Sequence, residues 1–345
     1  MKGNIPIAEI PHGEEIWLVV VVTSVRPRRT QQGRLFYDAA ARNASGSLAL
    51  KLWDETSALR PALQPGLWGI TGRLEKFQER LQFVLSDYRP ITAAQYREHQ
   101  GADPHIPRAF TIDIETVALP AFRERTAAQL ERTFRLGKMR LEQQQRYLED
   151  IAAEEERSYQ LGSLSAISGR VLAIAVHLGA TTGTNFPEQL PTGDQEYVFG
   201  IDALGNEQPE PEALQAFLTL FKDFDCESDE IVGHNILGFD LPFIFQRCLV
   251  NKLVVRPFVT LGDFDVHGVF DTMRRWWFGD RRGRVSLDDL AWALGLETSK
   301  SEAVEGSKIF DLYQRGQLLE IREYNLRDVR LTRQVYERMV AYLGR

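Results

Sequence analysis

The stretch Phe110–Leu119, "FTIDIETVAL", decides how the rest of the chain is read. Its apolar and β-branched residues predict a strand. Side chains alternate along a strand, so Asp113 and Glu115 fall on one face while Ile112 and Ile114 fall on the other. Two carboxylates two residues apart then share one small volume and repel each other at neutral pH. Such a pair is tolerated where a divalent cation neutralises it or where the strand end opens into water. Within this stretch the two explanations stand level, and only carboxylates further along the chain separate them.

Two later motifs supply those carboxylates. In "HNILGFD", Asp240 opens the helical pattern "DLPFIFQRCLV", a position where a carboxylate commonly caps free N–H groups. In "YNLRD", inside the amphipathic pattern "IREYNLRDVRLTRQVYERMVAYL", Tyr324 and Asp328 are four apart and lie on one helix face. Taken in order, "DIE", "HNILGFD" and "YNLRD" resemble the DEDD exonuclease superfamily, in its tyrosine branch. Within it the set is most similar to the prokaryotic predicted 3′-to-5′ exonucleases related to the proofreading domain of family B DNA polymerases. The resemblance covers roughly residues 110–340 and implies an α/β, RNase H-like domain with a mixed central sheet. It also implies that Asp113, Glu115, Asp240 and Asp328 bind two divalent cations, with Tyr324 aligning the attacking water.

The chemistry gives that assignment a physical basis. In-line displacement at a phosphodiester needs a hydroxide at neutral pH and a neutralised leaving oxyanion, and two cations about 3.5–4 Å apart provide both. Mg²⁺ or Mn²⁺ takes carboxylate, water and phosphate oxygens, so the metal spacing of Cys and His is not required. The two cysteines, Cys226 and Cys248, fit buried small hydrophobes in a reducing compartment. Around the second motif, Asn235 is expected to orient the site or touch the terminal nucleotide, and Phe239 to face substrate or the core. His234 is expected as a hydrogen-bonded neighbour. Asp271 is expected to cap the helix after it or to support the site from behind. Lys308, in a loop between helical patterns, is a further candidate for substrate contact, and Arg281, Arg282 and Arg284 are candidates for following a phosphate backbone.

Ahead of this region, "IWLVVVVTSV", "RLFYDAAA", "GSLALKLW", "GLWGITGRL" and "RLQFVLSDY" predict five short strands punctuated by glycines, which fits a small closed all-β barrel. The pattern resembles the OB-fold nucleic-acid-binding modules that precede nuclease domains. Residues 1–92 are therefore expected to form an OB-type barrel. The "RPRRTQQGR" loop offers Arg28 and Arg29 to phosphates, and Trp53, with Phe36, Tyr37 and Phe77, offers aromatic faces to bases. Alternate residues must fill the barrel, so about half of these aromatics are expected in its core. Charge is distributed in keeping with this division. Residues 1–90 carry 12 Lys and Arg against 9 Asp and Glu, and the remainder 29 against 39, within a net charge of −7.

Residues 93–109, with Gly101, Pro104 and Pro107 among polar residues, are expected as a linker. Residues 120–162 read as a helical insertion, with 8 acidic and 8 basic residues between 121 and 160. No apolar run approaches the roughly 20 residues of a membrane span, and a cytoplasmic location follows by default. The expected partner is therefore single-stranded nucleic acid. Both sugars are compatible with these motifs, and the likeness to polymerase domains favours DNA. An exoribonuclease and a catalytically inactive nucleic-acid-binding scaffold are the alternatives. The sequence leaves oligomeric state open.

Overall fold

The computed structural model describes residues 5–54, 62–77, 80–105, 107–122, 124, 146, 149, 157, 159–181, 194–226, 228–255, 259, 266–279, 283–297 and 309–343. Lys308, Arg281, Arg282 and most of the helical insertion expected over 120–162 lie outside the described residues.

Five strands close into a barrel in the order β1-β2-β3-β5-β4: β1 (Glu15–Arg29), β2 (Leu35–Asn43), β3 (Gly46–Trp53), β4 (Gly66–Phe77) and β5 (Arg80–Pro90). β3 and β5 pair in parallel and the other contacts are antiparallel, which is the strand arrangement of an OB-type barrel. Inward residues Leu18, Val20, Val22, Leu50, Leu52, Trp68, Ile70 and Phe83 fill the interior. At Gly72, β4 shifts register against β5, and a side chain there would run into the Val84 carbonyl, so the barrel bends at a residue without one.

The segment expected as a bare linker holds an ordered helix, α1 (Ala93–Gln100). Thr92 and Gln95 form a reciprocal capping box at its start, and Gly101 ends it in the left-handed conformation. Tyr96 is buried against Val19, Val21 and Leu67 of the barrel. The polar composition concealed this helix because the cap residues are themselves polar and one aromatic carries its packing.

The second body is a five-stranded mixed sheet in the order β10-β9-β6-β7-β8: β6 (Arg108–Ala118), β7 (Gly169–Ala180), β8 (Gln195–Phe199), β9 (Glu230–Gly233) and β10 (Val269–Asp271). β6 pairs antiparallel with β7 and parallel with β9. The helices are α2 (Glu210–Leu220), α3 (Asp240–Val250), α4 (Thr272–Trp277), α5 (Leu287–Ala293), α6 (Ile309–Gln314) and α7 (Leu318–Leu343). Phe110, Ile112 and Ile114 of β6 bury one sheet face against Leu214 and Phe217 of α2 and Leu241 and Ile244 of α3. On the opposite face, α7 packs Leu326 and Val329 against Ala175, and Val335 and Tyr336 against Val232 and Phe270. The alternation of β6 therefore turns Asp113 and Glu115 toward α7.

Two polar clusters lock this layer. Between α2 and α3, Arg247 makes a bidentate pair with Glu210 at 2.9 and 2.7 Å and also donates to the Ala166 carbonyl. At the start of β6, Arg108 pairs with the buried Asp229, which His105 also reaches at 3.0 Å. Arg42 of the barrel meets Asp225 and Ser228 of the sheet body, close to that cluster. Among the described residues no helix is long and apolar enough to cross a membrane.

Candidate active site

β6 delivers the first pair of carboxylates. Its register against β7 shifts between Glu115 and Thr116, and this bulge twists the strand just where the acidic residues end. α7 brings Tyr324 and Asp328 over the same strand. One oxygen from each of Asp113, Glu115 and Asp328 lies within 4.8 Å of the others, a spacing suited to a shared cation.

Asp240 completes the acidic set from a third direction. It is the first residue of α3, 4% exposed, and its Oδ1 accepts a hydrogen bond from the Ile114 amide at 3.2 Å. Its side chain is thus turned onto the central strand, between the two carboxylates of β6. The sequence motif alone favours the cap of its own helix, and docking of α3 on β6 decides otherwise.

Burial pushes Asp113, Glu115 and Asp240 toward their protonated forms, and neighbouring carboxylates add to it. Asp113 is raised well above the ordinary range by burial and by its neighbours Asp240, Glu115 and Asp328. Glu115 is raised by burial and by Asp328 and Asp240. Burial carries Asp240 up to about 7, against the hydrogen bond from Ile114. Tyr324 is raised by burial and by Asp328, to which its hydroxyl is bonded, and so keeps its proton at neutral pH.

The loop between β9 and α3 is built to hold Asp240 in place. Asn235 adopts a left-handed conformation, φ 60°, which asparagine tolerates better than most residues, and its carbonyl accepts from Gly238 and Phe239. Asp271, 2% exposed, accepts from the Asn235 and Leu237 amides at 3.1 Å each and also caps α4 through the Arg274 amide. Both roles expected for Asp271 are therefore filled by one carboxylate. His234 bonds Thr272 and the Val285 carbonyl, and burial holds its imidazole below its usual range, so it is an orienting neighbour. Phe239 meets Phe243 in a tilted ring contact, with ring centres 5.4 Å apart, and packs on the main core. One contact is missed by sequence reasoning: Asn325, fully buried, donates from Nδ2 to Asp113 Oδ2 at 2.7 Å. It lies beside Tyr324 in a quoted motif, and its side chain acquires a meaning only once α7 is docked.

On the barrel, cations and rings form a cluster. The Arg34 guanidinium lies 4.1 Å from the Trp53 ring centre, and Lys51 Nζ lies 4.5 Å from Phe36, 4.5 Å from Trp53 and 5.2 Å from Phe77. Phe77 is 55% exposed, whereas Tyr37 packs on the barrel core. Arg28 is exposed, 3.7 Å from Asp38, and Arg29 bonds the Gly33 carbonyl. These groups do not join the carboxylates. They make a separate surface.

Comparison with known proteins agrees with this geometry in the C-terminal part. The solved second OB-fold domain of replication protein A from Methanococcus maripaludis is 14% identical, over 26% of this chain and 94% of that chain, with a TM-score of 0.22. A replication protein A heterotrimer bound to ssDNA is 17% identical over 28% and 86%, also with a TM-score of 0.22. At those values the likeness carries no functional weight. The DNA polymerase delta catalytic subunits of Glycine max and Oryza sativa subsp. japonica are 32% and 30% identical over 132 residues, 37% of this chain. The chain spans about 10% of the length of each. Residues 189–345, which contain Asp240, Tyr324 and Asp328, match the family described as a predicted 3′-5′ exonuclease related to the exonuclease domain of PolB, and that part of the chain is similar to PolB-type exonuclease domains.

Proposed function

We propose that the protein is a metal-dependent 3′-to-5′ exonuclease of the tyrosine-type DEDD class, acting on single-stranded nucleic acid and on DNA in preference to RNA. One observation carries the reading. Residues more than two hundred positions apart in the chain place three carboxylates within 4.8 Å of one another, with a fourth turned onto the strand between them. Burying that many acids together is costly without a cation, and the proton affinities of Asp113, Glu115 and Asp240 are raised accordingly. A site made of carboxylate oxygens fits Mg²⁺ or Mn²⁺.

In this reading Asp113, Glu115, Asp240 and Asp328 would hold two such ions, which would supply activation of water and charge neutralisation at the leaving oxygen. Tyr324 stays protonated, and its hydroxyl, anchored on Asp328, orients the attacking water. Asn235, in the loop that leads into α3, positions the terminal nucleotide. Residues 1–92 act as a nucleic-acid-binding unit for the catalytic unit of 110–345. There Arg28, Arg29, Lys51 and Arg34 meet phosphates, and Trp53 with Phe77 stacks bases. Lys308 is proposed as an additional phosphate contact.

The test is a time course on 5′-labelled single-stranded DNA and RNA of matched sequence with Mg²⁺ or Mn²⁺, with chelator and Asp240→Asn as controls. The expected result is a ladder shortening from the 3′ end, faster on DNA and absent in both controls. Strand binding without cleavage of either substrate would overturn the enzymatic reading and leave a binding scaffold.

A further inference from the structure

The polar environment of Asp113 points to a residue outside the four carboxylates and the tyrosine. Asp113 lies in mid-strand, where its backbone is committed to the ladder with β7. Its carboxylate is surrounded by Glu115, Asp240 and Asp328, none of which donates a hydrogen bond once ionised. Among the described residues, Asn325 is the side chain that donates to it, at 2.7 Å onto Oδ2.

Asn325 stands one residue after Tyr324 and three before Asp328 on α7, so the helix that carries two of the reacting groups also carries the group that orients a third. The amide is neutral. It fixes the carboxylate by one oxygen and leaves the other oxygen, and the full negative charge, available to a cation. An arginine there would cancel the charge, and an apolar residue would leave the carboxylate to rotate. The placement is made at a cost, since Asn325 is 0% exposed and its Oδ1 is buried with no hydrogen-bond partner among the described residues. An apolar side chain would relieve that cost, so packing alone does not account for an amide at this position.

We propose that Asn325 is a positioning residue that holds Asp113 in its cation-binding orientation. The inference rests on the metal reading above. Groups that orient metal ligands in this way typically change affinity or activity by about 10–100-fold when removed.

The test is a titration of metal-free protein with Mn²⁺, followed by the electron paramagnetic resonance signal of the free ion, on the wild type and on Asn325→Leu. Thermal unfolding in chelator is run alongside. The expected result is Mn²⁺ binding weakened by about 10–100-fold, a melting temperature in chelator no lower than that of the wild type, and a lower kcat at saturating Mn²⁺ with KM for the strand unchanged. Affinity within threefold of the wild type in folded Asn325→Leu would overturn the inference alone. So would a loss of affinity that merely follows a lowered melting temperature in chelator. A wild type that binds no Mn²⁺ would overturn the metal reading as well. If Asn325→Leu does not fold, Asn325→Ala, with a better helix former and no donor, is held to the same outcomes.

Discussion

Replacing Asp240 by Asn should stabilise the metal-free protein while abolishing hydrolysis, and the gain should grow with pH. The carboxyl is 4% exposed and is pushed up to about 7, against 3.8 for an ordinary aspartate. Below the unfolded value the proton is bound in both states and the group contributes nothing. Between the two values the native state keeps a proton that the unfolded chain releases, so wild-type stability falls as pH rises, and the fall levels off above the folded value. At about 1.4 kcal/mol per unit, a difference of roughly 3 units amounts to ~4 kcal/mol at pH 8 and ~1 kcal/mol at pH 4.5. Asparagine has the same shape and never ionises, and its oxygen still accepts the Ile114 amide. Urea unfolding in chelator at both pH values measures the difference. The Asn variant should be more stable by an amount that rises about fourfold across the range, and added Mn²⁺ should narrow the gap by stabilising only the wild type. A gain independent of pH, or a variant less stable at pH 8, would refute the argument that burial disfavours the charged form of Asp240.

Tyr324→Phe should leave strand affinity unchanged and lower kcat by about 10²-fold, because it removes a protonated hydroxyl anchored on Asp328; single-turnover kinetics would separate the two effects. Arg247→Met strands a buried Glu210 and should cost about 3–5 kcal/mol in urea unfolding, far more than a surface pair. On the barrel, Trp53→Ala should weaken single-strand binding by about 1–3 kcal/mol. Lys51→Ala should reduce the salt slope of binding by about 0.7, and both follow from fluorescence titrations at several salt concentrations.

Much of the architecture is local enough to be read from the chain. Short apolar and β-branched runs between glycines mark all five barrel strands, and the acidic pair on one face of "FTIDIETVAL" follows from alternation alone. α7 and its Tyr324–Asp328 face follow from the 3.6-residue period. The helix at 93–100 escaped because its stability lies in a capping box and one buried tyrosine, not in an apolar stripe. The capacity of Asp271 to serve helix and loop at once depends on two strands ending side by side, which no local pattern records. What the sequence determined by itself was which residues bear charge and which face of each element they occupy, since both depend on spacing within one element. Tertiary structure alone decided that Asp240 turns to Ile114 and that Asn325 reaches Asp113. Such contacts join residues 126 and 212 positions apart, and they form only when helix packing on the sheet brings separate faces together.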